Sequence, residues 1–135
     1  MIKNGVYAAS LSVLNQDKTL NVDSTLNHAV DAIKNGLHGV FFFGSTGQSQ
    51  LISVSEKKEF IAKIATHKMR DQFFLGTGNN SLNENIYLIK YAMQYRFKDF
   101  LIMPPAYYKG NTDEGVFDFY HRIIKANPKI RIILY

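Results

Sequence analysis

The sequence predicts an α/β fold built on a parallel sheet, and three observations carry that expectation. Short apolar runs alternate with longer segments of helical period, the runs are bounded by glycine or proline, and the strand, loop and helix unit recurs about every 30 residues. Most of the runs are apolar throughout, without a polar alternate face, as expected for parallel strands covered on both sides. Strands are expected at 6–13, 39–43, 73–76, 100–103 and 130–135.

Four helices fall between them. In the first, Val22, Leu26, Ala29, Val30 and Ile33 form one apolar stripe, and Gly36 is placed to end the helix in a left-handed conformation. The second opens on Ser53 and Glu56, whose spacing lets each side chain satisfy the other's free backbone donor in a capping box. The third repeats that spacing with Ser81 and Glu84, then carries Ile86, Ile89, Ala92 and Met93 at helical period. The fourth starts within 111–114, presents Val116, Phe117, Tyr120, Ile123 and Ile124, and stops before Pro128.

Composition narrows the class. With 135 residues, 46% of them hydrophobic and 20% charged, the chain is too apolar for a disordered tail. It has no cysteine, so disulfides and cysteine metal sites are excluded. No linker or low-complexity tract interrupts it, so residues 1–135 are expected to form part or all of one domain. No apolar run approaches the roughly 18 residues of a membrane helix, and a soluble, cytoplasmic protein without a membrane partner is expected. Residues 6–14 read as a buried strand, because Ser10 and Ser12 interrupt them, only Lys3 precedes them as a basic residue, and no cleavage site follows. The net charge of +5 is scattered. Its densest cluster, Lys57, Lys58, Lys63, Lys68 and Arg70, is interleaved with Glu56 and Glu59 and reads as a solvated helix face, so no nucleic-acid partner is expected.

Two architectures suit the rhythm: an open doubly wound sheet, or a piece of a (β/α)8 barrel. Length favours the open sheet, since a whole barrel needs about 250 residues. In either case chemistry belongs just beyond the carboxyl ends of the strands. There the sequence places Gly44, Ser45, Thr46, Gly47 and Gln48; then Gly76, Thr77, Gly78, Asn79 and Asn80; then Met103, Pro104, Pro105, Ala106, Tyr107, Tyr108 and Lys109; and finally Tyr135.

Two hydroxyls between glycines let backbone amides and side-chain donors approach a small anion together, though the same residues also make ordinary strand-to-helix turns. No Gly-Lys-Ser/Thr follows, so this is not a Walker loop. Tyr107 and Tyr108 follow a stiff Pro-Pro pair; phenols can relay protons in a dry site, and they also pack at interfaces. Tyr135 ends an apolar run and either enters a site or caps the core. His28, His38, His67 and His121 show no metal-ligand spacing, the carboxylates form no convincing acid/base pair, and no metal is expected.

Taken together, Gly44-Ser45-Thr46-Gly47 with Leu51 and 53–56, Gly76-Thr77-Gly78, Pro104-Pro105-Ala106-Tyr107-Tyr108 with Glu114-Gly115, and Ile133-Leu134-Tyr135 resemble the dihydrodipicolinate synthase and N-acetylneuraminate lyase family. The resemblance runs in order from about residue 5 to the last. It implies a parallel (β/α)8 barrel, of which the chain supplies five strands and four helices. It also implies an aldolase-type lyase or synthase that joins pyruvate, or a related 2-oxo acid, to an aldehyde through a Schiff base on lysine. On that resemblance Thr46 and the backbone of Gly47 hold the carboxylate, Ser45 passes protons between tyrosines, and Tyr135 is the central acid/base. Tyr108 relays protons into a neighbouring subunit's site, and Tyr107 lies at that interface of a homo-oligomer, dimer or tetramer. No diffusible cofactor is implied.

Gln48 stands where many members carry glutamate. The Schiff-base lysine belongs to a sixth strand, and none of Lys3, Lys90, Lys98, Lys109 or Lys125 matches its position. The chain is therefore expected to be the amino-terminal part of a longer enzyme and inactive alone. The competing expectation is a small open-sheet protein that binds an anion or a nucleotide without catalysis.

Overall fold

The computed structural model describes residues 4–135. Five strands, β1 (Tyr7–Ala9), β2 (Gly39–Phe42), β3 (Phe73–Gly76), β4 (Asp99–Ile102) and β5 (Arg131–Leu134), alternate with four helices, α1 (Val22–Lys34), α2 (Val54–Ala65), α3 (Leu82–Gln94) and α4 (Asp113–Ala126). The strands are ordered β1-β2-β3-β4-β5 and every neighbouring pair is parallel. That order decides between the two architectures. A doubly wound sheet reverses direction at a switch point, whereas here each helix advances the chain by one strand in the same direction, which is the winding of a (β/α)8 barrel. The chain supplies five of its strands, and β1 and β5 each have one strand neighbour among the described residues.

Register divides the side chains between two faces. Val40, Phe42, Phe73, Leu75, Phe100 and Ile102 are buried in one cluster with Ala29, Phe60, Ile61, Ile64, Leu88, Ile89 and Ile123 of the helices. On the other face the rings of Tyr7, Phe41 and Phe74 touch, with centroids 5.0–5.8 Å apart. In α2, burial of Phe60, Ile61 and Ile64 contributes about 2 kcal/mol each. The cap contributes about 1 kcal/mol. Packing thus accounts for the existence of α2, while the capping box of Ser53 and Glu56, both halves of which are formed, sets where it begins. At α3 Ser81 accepts from the Glu84 amide at 3.3 Å. Gly36, with φ +102°, follows the end of α1 as expected.

The bounds of four strands differ from the sequence reading. β1 is three residues long; the ladder gains one more step, from Ser10 N to Phe41 O at 2.9 Å, and the chain then turns so that Leu14 bridges Leu20 antiparallel. The apolar residues of 11–14 serve that turn, in which the Asp17 carboxylate accepts from the Thr19 amide and hydroxyl. β2 ends at Phe42 because Phe43 adopts φ +58° and leaves the ladder. β4 and β5 begin one residue to either side of expectation, on Asp99 and Arg131. These two lie opposite each other in register and form a two-pronged ion pair, with Nη2 to Oδ2 at 2.6 Å.

Candidate active site at the carboxyl ends of the strands

The loop after β2 is held at both ends and open in the middle. Gly44 and Gly47 are buried, while Ser45 and Thr46 between them are exposed. Ser12 Oγ donates to Gly47 O at 2.6 Å, and Gln48 N donates to Ser45 O at 2.9 Å. A Cβ on Gly47 would lie 2.9 Å from Ser10 O, so glycine is what lets the loop seat against the exit of β1. Ser45 Oγ reaches across to Met103 Sδ at 3.5 Å, just beyond β4. Two exposed hydroxyls on an anchored turn can approach a small anion together with the backbone amides beside them.

The loop after β3 packs directly beneath. A Cβ on Gly76 would come 2.4 Å from Phe43 O, and one on Gly78 would overlap the Ser49 side chain. Lys57, on α2, is fully buried there; its Nζ donates to Thr77 O at 2.8 Å and to Asn79 Oδ1 at 3.1 Å, and lies 5.9 Å from the Phe43 ring centre. The expectation of a solvated face is therefore wrong at Lys57. Its spacing from Phe60, Ile61 and Ile64, at i+3, i+4 and i+7, places it on the buried stripe, and that spacing was the available signal.

Burial pushes the Lys57 ammonium down to about 8, against the opposing effect of Glu84 and Glu56. Because the folded value lies below the ordinary 10.5, the folded chain binds fewer protons than the unfolded one between these two pH values. The contribution of Lys57 to stability therefore rises with pH across that window. Between about pH 7.5 and about pH 9.5 the gain should be about 2 kcal/mol, and Lys57→Met should abolish it. Urea midpoints of both proteins at the two pH values check this; equal slopes would contradict it.

The tyrosines lie along the same rim. Tyr107 and Tyr108 are 78% and 76% exposed and pack edge to face at 5.2 Å. Their loop is held by Ala106 N donating to Asn80 Oδ1 at 2.9 Å and by Asn111 Nδ2 donating to Pro105 O at 3.0 Å. Tyr135 N donates to Ile102 O at 3.2 Å, which places Tyr135 beside the residue preceding Met103. Ser45 and Tyr135 thus approach the same end of β4 from opposite sides, while the Ser45 hydroxyl bonds Met103 and not a tyrosine. Reading the sequence placed Met103 and Asn80 beyond the strand ends without giving either a task, and it missed Lys57 as part of this rim.

The histidines serve other purposes. His38 Nδ1 accepts from Val6 N, His67 Nδ1 accepts from Met69 N, and His121 stacks on Phe117. No group of three or more metal-binding side chains occurs among the described residues. Lys3 lies outside them. Among the described residues no helix is long and apolar enough to cross a membrane.

Comparison with known proteins gives one consistent result. The model of the dihydrodipicolinate synthetase family matches residues 3–135. An N-acetylneuraminate lyase of Fusobacterium nucleatum is 30% identical over 134 residues, covering 96% of this chain and 45% of the relative. A 4-hydroxy-tetrahydrodipicolinate synthase of Leptospira biflexa is 33% identical over 126 residues, covering 93% and 42%. Among solved structures, a dihydrodipicolinate synthase from Agrobacterium tumefaciens superposes with a TM-score of 0.88 at 24% identity, covering 98% of this chain and 47% of that one. A Clostridium difficile protein solved in complex with mannosamine superposes at 0.82 with 25% identity, covering 100% and 47%. The chain spans less than half the length of these relatives.

Proposed function

The chain belongs to the dihydrodipicolinate synthetase family, and we propose that it forms the amino-terminal half of a (β/α)8 lyase that joins pyruvate, or another 2-oxo acid, to an aldehyde or cleaves the product. The observation that carries this reading is the convergence of the Ser45–Thr46 turn and Tyr135 on the end of β4, through Met103 and Ile102. In a lyase of this kind the pyruvate carbonyl condenses with a lysine amine, losing water to form an imine. That lysine lies outside these 135 residues in our reading. The imine then loses a methyl proton to become the enamine that attacks the aldehyde.

Each residue has a matching task. Thr46 Oγ1 and the backbone amides of its turn hold the carboxylate without a formal positive charge, which fixes the carbonyl for attack. Tyr135 moves the proton as water leaves. Ser45 lends a hydroxyl between Tyr135 and the Tyr108 of a second copy once a substrate displaces its bond to the soft Met103 sulfur, an exchange that costs little because thioether acceptors are weak. The exposure of Tyr107 and Tyr108 suits side chains completed by a second copy of the protein, in a dimer or tetramer.

Exchange of the pyruvate methyl protons for deuterium reports imine and enamine formation without requiring the aldehyde to be known. The full-length protein should catalyse it, and Thr46→Val should weaken pyruvate binding by about tenfold to a hundredfold, the loss of one bond to a charged group. Exchange no faster than in buffer would overturn the reading.

A further inference from the structure

We propose that Lys57 is a positioning residue for the tyrosine loop, acting through the 77–80 turn and the Asn80 side chain. The inference rests on the functional reading above for its consequence in catalysis, but its geometry stands on its own. Both acceptors of the Lys57 ammonium, Thr77 O and Asn79 Oδ1, belong to this one turn. The turn is gripped from the other side as well: Asn85 Nδ2, on α3, donates to Asn79 O at 2.9 Å and to Ser81 O at 2.8 Å. Between these two anchors Asn80 stays exposed, and its Oδ1 accepts the amide of Ala106, the residue immediately before Tyr107 and Tyr108. A continuous path of three links therefore joins the core of the α2 helix to the backbone of the tyrosine loop.

The composition of this spot speaks against simple packing. Burying an amine costs free energy that an apolar side chain on the same stripe would not incur, and Phe60, Ile61 and Ile64 occupy the rest of that stripe. Around it Ser49 Oγ, Thr77 Oγ1 and Asn79 Nδ2 are buried without partners, so the polar groups outnumber what stability alone requires. What a buried ammonium supplies, and a leucine cannot, is a fixed donor to a turn whose backbone bond to β4, Thr77 N to Leu101 O at 3.3 Å, is made at its first residue.

The test is backbone amide exchange in the full-length protein, read peptide by peptide, together with deuterium exchange of pyruvate. Lys57→Met should raise amide exchange at 77–80 and 104–110 by about tenfold, the opening expected when about one hydrogen bond is lost, with 39–42 and 60–64 unchanged. It should lower kcat for pyruvate exchange while KM for pyruvate stays within about threefold, because the Thr46 turn is not on the path. Asn80→Ala should raise amide exchange at 104–110 alone and lower kcat in the same way. Unchanged exchange at 104–110 in either variant, or a uniform rise across the whole of Lys57→Met, would overturn the proposal. If Lys57→Met does not fold, Asn80→Ala decides. A wild-type protein without pyruvate exchange would sink the functional reading alone, since the amide measurements judge the positioning path independently.

Discussion

Replacing Tyr135 with Phe in the full-length protein should slow deuterium exchange of the pyruvate methyl group by about 10²–10⁴-fold, the usual contribution of a placed general acid/base. The substitution removes only a hydroxyl. Tyr135 is half exposed, and its backbone bond to Ile102 O does not involve the side chain, so stability should change by no more than about 0.5 kcal/mol. Loss of rate with an intact fold would therefore assign the proton transfer to this phenol. A rate within about threefold of wild type would remove Tyr135 from the role and leave Tyr108 as the remaining candidate phenol on the rim.

Gly76→Ala should destabilise the protein by about 3 kcal/mol and disturb the Ser45–Thr46 turn at the same time. The methyl group would meet two backbone oxygens, Phe43 O at 2.4 Å and Phe42 O at 2.8 Å, neither of which can rotate away as a side chain could. Relief requires β2 and β3 to separate or Phe43 to give up its left-handed φ of +58°, and Phe43 is the residue from which the turn departs. A urea titration reads the stability loss, and pyruvate KM reads the turn. A variant as stable as wild type, with unaltered KM, would show that the contact between β2 and β3 does not set the loop.

Much of the fold was legible because the elements announce themselves locally. The α2 cap was plain from Ser53 and Glu56, the helix stops from Gly36 and Pro128, and the strands from continuous apolar runs. The rhythm left strand order open, because a doubly wound sheet and a barrel share the same alternation and differ only in which neighbours pair; the motif resemblance supplied the barrel, and the β1-β2-β3-β4-β5 order agrees with it. Residues 11–14 misled for a related reason: they are as apolar as a strand, yet a turn built on Asp17 and Thr19 uses them. Asp99 and Arg131 were hidden by charge, since each alone argues against a buried strand and only their pairing across the sheet makes them compatible with one.

The rim follows the same pattern. The glycine-bounded turn and the tyrosines stood out by composition. Lys57 was lost in a cluster of basic residues of which Lys63 and Lys68 face outward while Lys58 and Arg70 are half-buried, and its role depends on acceptors 20 and 22 positions away. Met103 and Asn80 stood beyond the strand ends in the sequence but carried no sign of a task, because their importance comes from what lies across the sheet.

Borohydride reduction in the presence of pyruvate, followed by the mass of the intact protein and of its peptides, shows whether an imine forms and on which lysine. One reduced pyruvate adduct per chain of the full-length protein is expected, on a lysine beyond Tyr135, and none on the 135-residue chain alone. No adduct on the full-length protein, or an adduct on a lysine within these 135 residues, would contradict that expectation.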